Sequence, residues 1–427
     1  MSRVQQPWGC AVDAGSQMYA VYIAPFGFAP KNTTGRRLMP MARAAAAVGH
    51  RVRVIVPPYD DPATYGREWE DDGVEVMCLP RPRFDGTALI GAAFTQWRLA
   101  RAAADLVAAW RPDLVHVFKP KAVSGLAQTL IARRRDRPAI VLDLDDWEGR
   151  EGWSRNEDYP RPLVELFEIQ ERLGMRRCDA FTAASRLLAE RAGDVASDCP
   201  RLYLPNGFDP AAYEAWESDR AGNAFRRSLG IRTRERLILI YTRFFDYELE
   251  DWASVIRTIA AKSASARFLV LGAGKFGQER DLAADMRVSG LADRMSFLGW
   301  LPFADIPSAL AAVDLALMPL ADTVANRAKC SPRYIDLMYA GVPVVTTPVG
   351  EALTFISDGE TGFVAADASP EAVAAAAMRA LAGDLSADVT ERARALAVQE
   401  LAWEQLTEPL SGLYEGAVAR AASRRGG

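Results

Sequence analysis

The chain has 427 residues, half of them hydrophobic and a quarter charged, which predicts a globular protein of two or three domains and not a disordered or fibrous one. Its 51 Lys and Arg against 55 Asp and Glu give a net charge of −4, which argues against a dedicated nucleic-acid binder. Five scattered cysteines, two histidines and no apolar run of roughly 18 residues argue against a disulfide framework, a structural zinc cluster and a membrane-spanning helix, so a reducing, cytoplasmic setting is expected.

In chain order, short apolar runs alternate with helical stretches. Strands are predicted at Tyr19–Ala24, Val52–Val56, Val74–Leu79, Leu114–Phe118, Ala139–Leu144, Ala180–Thr182 and Leu202–Leu204. Helices are predicted between them at Arg36–Val48, Ala88–Trp110, Leu126–Arg134 and Leu163–Arg172. Such runs suit strands buried on both faces of a parallel sheet. After Pro205-Asn206-Gly207 the pattern restarts. Strands follow at Leu237–Thr242, Phe268–Leu271, Met295–Leu298, Leu315–Pro319, Val342–Thr346 and Gly362–Val364, with helices at Trp252–Lys262, Gly277–Val288, Asp305–Ala311, Pro332–Tyr339 and Pro370–Leu381. The chain therefore reads as α/β, with two doubly wound domains over 1–205 and 206–400. A last helix and frayed tail fill 401–427. Ligands of such folds bind at the C-terminal ends of the strands.

Several motifs fall at those strand ends. The loop Ala24–Gly35 is glycine-rich and polar, so Gly27, Lys31, Asn32, Thr33 and Gly35 could wrap an acceptor or a phosphate, or simply connect two elements. His116 lies in an apolar strand, where a satisfied core histidine competes with a role on the acceptor side; Lys119 follows at the strand end. Asp143-Leu-Asp145-Asp146 contains an Asp-x-Asp that could hold a divalent ion or only end a strand. Arg243 follows another strand, where it could clamp a phosphate or pair with Asp246 or Asp251. Gly272-Ala-Gly274-Lys275-Phe-Gly277 fits GxGxxG at a strand-to-helix turn, where the backbone can approach a diphosphate. No acid stands about 20 residues on, in Met295–Trp300, so NAD is disfavoured. Ser331 suits an N-cap and Pro332 the first turn of a helix, flanked by Lys329 and Arg333. That start is a candidate anion site, and Asp336, one turn further, could accept hydrogen bonds from sugar or ribose hydroxyls.

Over nearly its whole length the chain resembles the family-4 glycosyltransferases of the two-domain GT-B fold. The ordered blocks carry the resemblance: Gly49-His50-Arg-Val-Arg-Val, Pro112-Asp-Leu-Val-His116, Leu204-Pro-Asn-Gly-Phe-Asp209, Leu271-Gly-Ala-Gly, Phe297-Leu-Gly299-Trp-Leu-Pro, Ala312-Val-Asp314, and Ser331 to Thr347 with Gly350 and Ser357–Gly362. The resemblance implies transfer from a nucleotide-diphospho-sugar with retention, with no cofactor or metal. It implies a first domain facing the acceptor, a second binding the donor, and a last helix packing back towards the first. By position, Arg243 would bind the diphosphate, and the backbone of Phe297, Leu298 and Gly299 would face the base. Ser331 and the helix start would hold phosphate, Asp336 would contact ribose, and the Gly27–Gly35 loop with Lys119 would lie towards sugar and acceptor. Three positions depart from the family pattern. Ala328 stands where the first of two glutamates is expected, Glu248 where a lysine is, and Phe118 where a second histidine is common. Arg333, Lys329 or Lys275 is expected to supply the missing positive charge.

The expected function is thus a retaining glycosyltransferase with a nucleotide-sugar donor and a glycan, lipid-linked or small-molecule acceptor. Arg133-Arg-Arg135 with Arg137, Arg36-Arg37 and the Trp97–Arg101 helix are compatible with contact with anionic lipid at the inner membrane face, and equally with solvated helix faces. A nucleotide-sugar epimerase of similar fold and a catalytically silent nucleotide-binding protein are the alternatives, the second prompted by Ala328 and Glu248.

Overall fold

A computed structural model describes residues 17–28, 33–59, 61–81, 89–208, 213, 219–383 and 387–426. Its first sheet is built from β1 (Tyr19–Ile23), β2 (Arg51–Val56), β3 (Glu68–Asp71), β4 (Val74–Cys78), β5 (Leu114–Phe118), β6 (Ala139–Leu144), β7 (Ala180–Ala183) and β8 (Arg201–Tyr203), in the order β3-β4-β2-β1-β5-β6-β7-β8. All pairings are parallel except β3 with β4. The β3 strand was not expected, because Glu-Trp-Glu-Asp at an exposed edge has no apolar run to betray it.

Helices cover both faces, as continuous apolar strands require. One face is closed by the helices Leu89–Trp110, Ala122–Ala132, Arg161–Arg176 and Arg186–Val195. The other is closed by Met39–Ala47 and by the last helix, Trp403–Gly426, which inserts Leu410, Tyr414 and Ala417 into the first domain's core.

The second sheet contains β9 (Arg236–Tyr241), β10 (Ala266–Leu271), β11 (Met295–Gly299), β12 (Leu315–Met318), β13 (Val344–Thr346) and β14 (Phe363–Val364), all parallel, in the order β11-β10-β9-β12-β13-β14. Leu249–Lys262, Gln278–Val288 and Pro370–Ala382 pack on one face, and Arg333–Tyr339 with Ala387–Glu400 on the other. The molecule is thus two Rossmann-like domains. Two passages of chain join them side by side: Phe208 N–H donates to Leu401 O and Trp403 N–H to Phe208 O, both at 3.0 Å. The C-terminal ends of β5, β6, β9 and β10 open on one cleft between the domains.

Candidate functional site

The cleft encloses a cavity of about 420 Å³. Its second-domain wall begins where β9 ends. Phe244 takes φ +61°, and its N–H donates to Thr242 Oγ1 at 2.8 Å, a tight turn that sends Arg243 into the cavity. The Arg243 guanidinium lies among aromatic rings, 5.5 Å from Trp300, 5.8 Å from Phe245 and 5.9 Å from Trp153. Its Nε is buried without a hydrogen-bond partner, and among the described residues it forms no ion pair. Burial, and then the nearby Arg333, lower its pKa from the usual arginine value.

Asp246, three residues further, organises the other cations. One carboxylate oxygen accepts from Lys329 Nζ, and the other from Arg333 at 2.5 Å. Burial alone would raise the Asp246 pKa, but these two cations hold it well below the usual carboxylate range. Arg333 also donates to Tyr241 O at 2.5 Å and, through Nε, to Ser331 Oγ at 3.1 Å. Two cations therefore share one carboxylate on this wall, and Arg243 stands beside them without one.

The first-domain wall is arranged differently. Lys119, at φ +45° just past β5, places Nζ between Asp145 at 3.1 Å and Asp146. Lys121 pairs with Glu148 at 2.8 Å, and Arg37 with Asp143 at 2.7 Å. Burial would lower the Lys119 pKa, but Asp145 and Asp146 raise it above the usual lysine value. Between the walls, Arg36 of the first domain pairs with Asp336 of the second, whose Oδ1 also accepts from Tyr213 at 2.5 Å. Trp153 of the first domain meets Phe245 edge-on at 5.8 Å.

The cavity brings together Thr33, Lys119, Arg243, Gly272, Gly299, Lys329, Ser331, Pro332, Arg333 and Asp336 of the expected residues. Lys31 and Asn32 lie outside the described residues. Others are placed elsewhere, for identifiable reasons. His116 faces the core, not the cavity: strand alternation turns it with Leu114 and Phe118 towards the last helix, where its ring nitrogens meet Tyr414 Oη at 2.8 Å and Thr182 Oγ1 at 3.0 Å. Gly274 and Lys275 do not line the cavity. Gly274 N–H donates to Glu279 at 3.0 Å and Phe276 N–H to Gln278 at 3.0 Å, so the chain's own side chains fill the turn that an anion would use. Lys275 instead reaches across to Glu157 at 2.7 Å. Phe297 and Leu298 pack into the cores on opposite sides of the sheet, so only Gly299 of that run reaches the cavity, followed by Trp300 and Leu301. Gly27 and Gly35 do not line it either; Phe26, Phe28 and Thr33 present that loop to the cleft.

Ser331 is not an N-cap. The seven-residue helix begins at Arg333, and the Ser331 hydroxyl is turned to the Arg333 side chain. Asp143 of the Asp-x-Asp is fully buried on Arg37 and Thr182. Among the described residues, no three His, Cys, Asp or Glu side chains converge as a metal site would require. Of the departures, Ala328 is fully buried against the first domain's core, and Glu248 is exposed away from the cavity. Lys329 and Arg333 line the cavity; Lys275 does not. Trp153 and Trp300 also line the cavity, aromatics that no periodic signal in the sequence marks as site residues. Asp246, one of the two carboxylates expected beside Arg243, is instead the shared partner of Lys329 and Arg333.

Comparisons with known proteins cover both domains. Residues 32–207 match the family model described as glycosyl transferase 4-like domain, and residues 236–383 the model described as glycosyl transferases group 1. A 2-deoxystreptamine glucosyltransferase of Streptomyces kanamyceticus is 25% identical over 326 residues, covering 74% of this chain and 80% of that protein. A 2-deoxystreptamine N-acetyl-D-glucosaminyltransferase of Streptomyces fradiae is 30% identical over 290 residues, 64% of this chain and 63% of that protein. The crystal structure of Anabaena HepE in complex with UDP and glucose superposes with a TM-score of 0.69 at 19% identity, over 93% of this chain and 100% of that one. No helix among the described residues is long and apolar enough to cross a membrane.

Proposed function

Because the chain belongs to the family-4 glycosyltransferases of the GT-B fold, we propose that it transfers a sugar from a nucleoside-diphosphate sugar with retention of configuration. The observation that supports this most is Arg243: a cation at a strand end, facing the cavity, with no ion pair among the described residues. Lys329 and Arg333 stand beside it with only Asp246 between them. When the sugar–phosphate bond breaks, negative charge grows on the departing diphosphate. Preorganised cations at that spot stabilise the transition state more than the ground state, an effect of roughly 3–4 kcal/mol for a key donor. In this reading the three side chains do this neutralising without a resident metal. The acceptor hydroxyl attacks from the face the diphosphate leaves, and a diphosphate oxygen takes its proton, so configuration is kept. The contacts of Arg36 with Asp336 and Trp153 with Phe245 hold the domains together around the reactants, which excludes water and aligns them.

Phe94, Trp97 and Arg98, exposed together on the helix Leu89–Trp110, support peripheral contact with an anionic membrane as a further part of this reading.

The test is a panel of UDP-, GDP- and ADP-sugars incubated with polyol and aminocyclitol acceptors, with product anomers read by NMR. One donor is expected to be consumed only with acceptor, to give a product of unchanged configuration, and to lose at least about tenfold in turnover in Arg243→Ala. Inversion, or an unchanged rate in that variant, contradicts the clamp. Acceptor-free conversion to a new sugar nucleotide indicates an epimerase, and binding without turnover a silent protein.

A further inference from the structure

The two walls carry unlike charge. On the second wall, Arg243, Lys329 and Arg333 face one carboxylate, Asp246, so two positive charges are in surplus. On the first wall the surplus is negative. Arg37 is committed to Asp143 and reaches Asp145 only at 3.9 Å, and Lys121 is committed to Glu148. That leaves Asp145 and Asp146, both lining the cavity, with one Lys119 ammonium between them. The Arg36–Asp336 pair cancels across the gap.

While the cleft is empty, the second wall's cations also act on the first: Lys329 and Arg243 both feel the charge of Asp146. A bound donor changes this balance. Its diphosphate carries about two negative charges and uses up the second wall's surplus, and a part-buried carboxylate left without a counter-charge is costly. The remedy is a cation delivered by the second substrate. A divalent ion fits poorly, because the Lys119 ammonium already sits between the two carboxylates and no third acidic or histidine ligand converges there among the described residues. A substrate ammonium needs only the free lone pairs of Asp145 and Asp146.

We propose that the acceptor is an amine-bearing polyol or cyclitol whose ammonium is held by Asp145 and Asp146, and that donor binding strengthens its capture. This rests on the donor assignment above. Coupling of this kind is reciprocal: the diphosphate must tighten the amine as much as the amine tightens the diphosphate.

The experiment is calorimetric titration of the full chain with cis-1,3-diaminocyclohexane and, in parallel, cis-1,3-cyclohexanediol, each with and without saturating UDP, GDP or ADP, whichever binds. The diamine is expected to bind roughly tenfold or more tighter than the diol with nucleotide present, and less tightly without it. Asp146→Asn, with circular dichroism confirming its fold, is expected to abolish the diamine's advantage. The wild-type diamine-to-diol ratio needs no variant and stands alone if Asp146→Asn does not fold. The proposal is overturned if the diol binds as well as the diamine, if nucleotide leaves diamine affinity unchanged, or if Mg²⁺ alone displaces the diamine from Asp145 and Asp146. Failure of all three nucleotides to bind overturns the donor assignment instead, a separate result.

Discussion

Lys119 and Arg243 occupy matching places, each just past a strand end on its own side of the cleft, yet their surroundings are opposite. Lys119 is wedged between two carboxylates, while Arg243 has aromatic rings for neighbours and no ion pair among the described residues. A cation already neutralised builds the wall. A cation left without a partner is free to neutralise something that arrives.

Turning the paired cluster into an unpaired one should have the largest effect. Asp246→Asn leaves the largely buried Lys329 and Arg333 without their shared counter-charge, and unfolding by urea should show a loss of about 3 kcal/mol. The same pair sets a pH dependence. The folded-state pKa of Asp246 lies below its unfolded value, so its contribution is whole above about pH 4 and is lost as pH falls further. Asp246→Asn should remove that part of the acid transition.

Disturbing the backbone that aims Arg243 should cost less. Gly272 takes φ +111°, and a Cβ there would lie 2.1 Å from the Thr242 carbonyl oxygen. Gly272→Ala should lose about 1–3 kcal/mol in thermal unfolding and also slow turnover, because Thr242 precedes Arg243.

On the first wall, His116 tests the core behind Lys119. Burial, with Arg37 adding to it, holds its pKa well below the usual histidine value. The unfolded chain takes up this proton below about pH 6.5, so the stabilisation is whole above that pH and falls away below it, by up to about 1.4 kcal/mol per pH unit. His116→Gln should flatten the slope, and His50, whose pKa is also lowered by burial, accounts for what remains.

The smallest effect is expected at Lys275. Its pair with Glu157 is partly exposed, so Lys275→Ala should change stability by under about 1 kcal/mol and turnover by no more than about twofold.

Much of the architecture was legible from residues alone, because strands buried on both faces leave unbroken apolar runs such as Leu114–Phe118 and Ala139–Leu144. The edge strand Glu68–Asp71 left no such trace. The strand-end cations Lys119 and Arg243 were also legible, since position along a parallel strand tells which end opens on the cleft. Their opposite surroundings were not. Asp246 finds Lys329 and Arg333 from more than 80 residues away. Gly274 has the sequence pattern of an anion cradle, but Glu279, five residues on, fills it. Trp153 arrives from the other domain, and spacing gives no hint of that.

The most direct test of the Arg243 clamp is calorimetry of UDP, GDP and ADP against their monophosphates, in EDTA, on the full chain and on Arg243→Ala. One diphosphate is expected to bind at least about tenfold tighter than its monophosphate, and Arg243→Ala to erase most of that advantage. Equal affinity for the two, or an advantage that survives the substitution, would contradict the clamp.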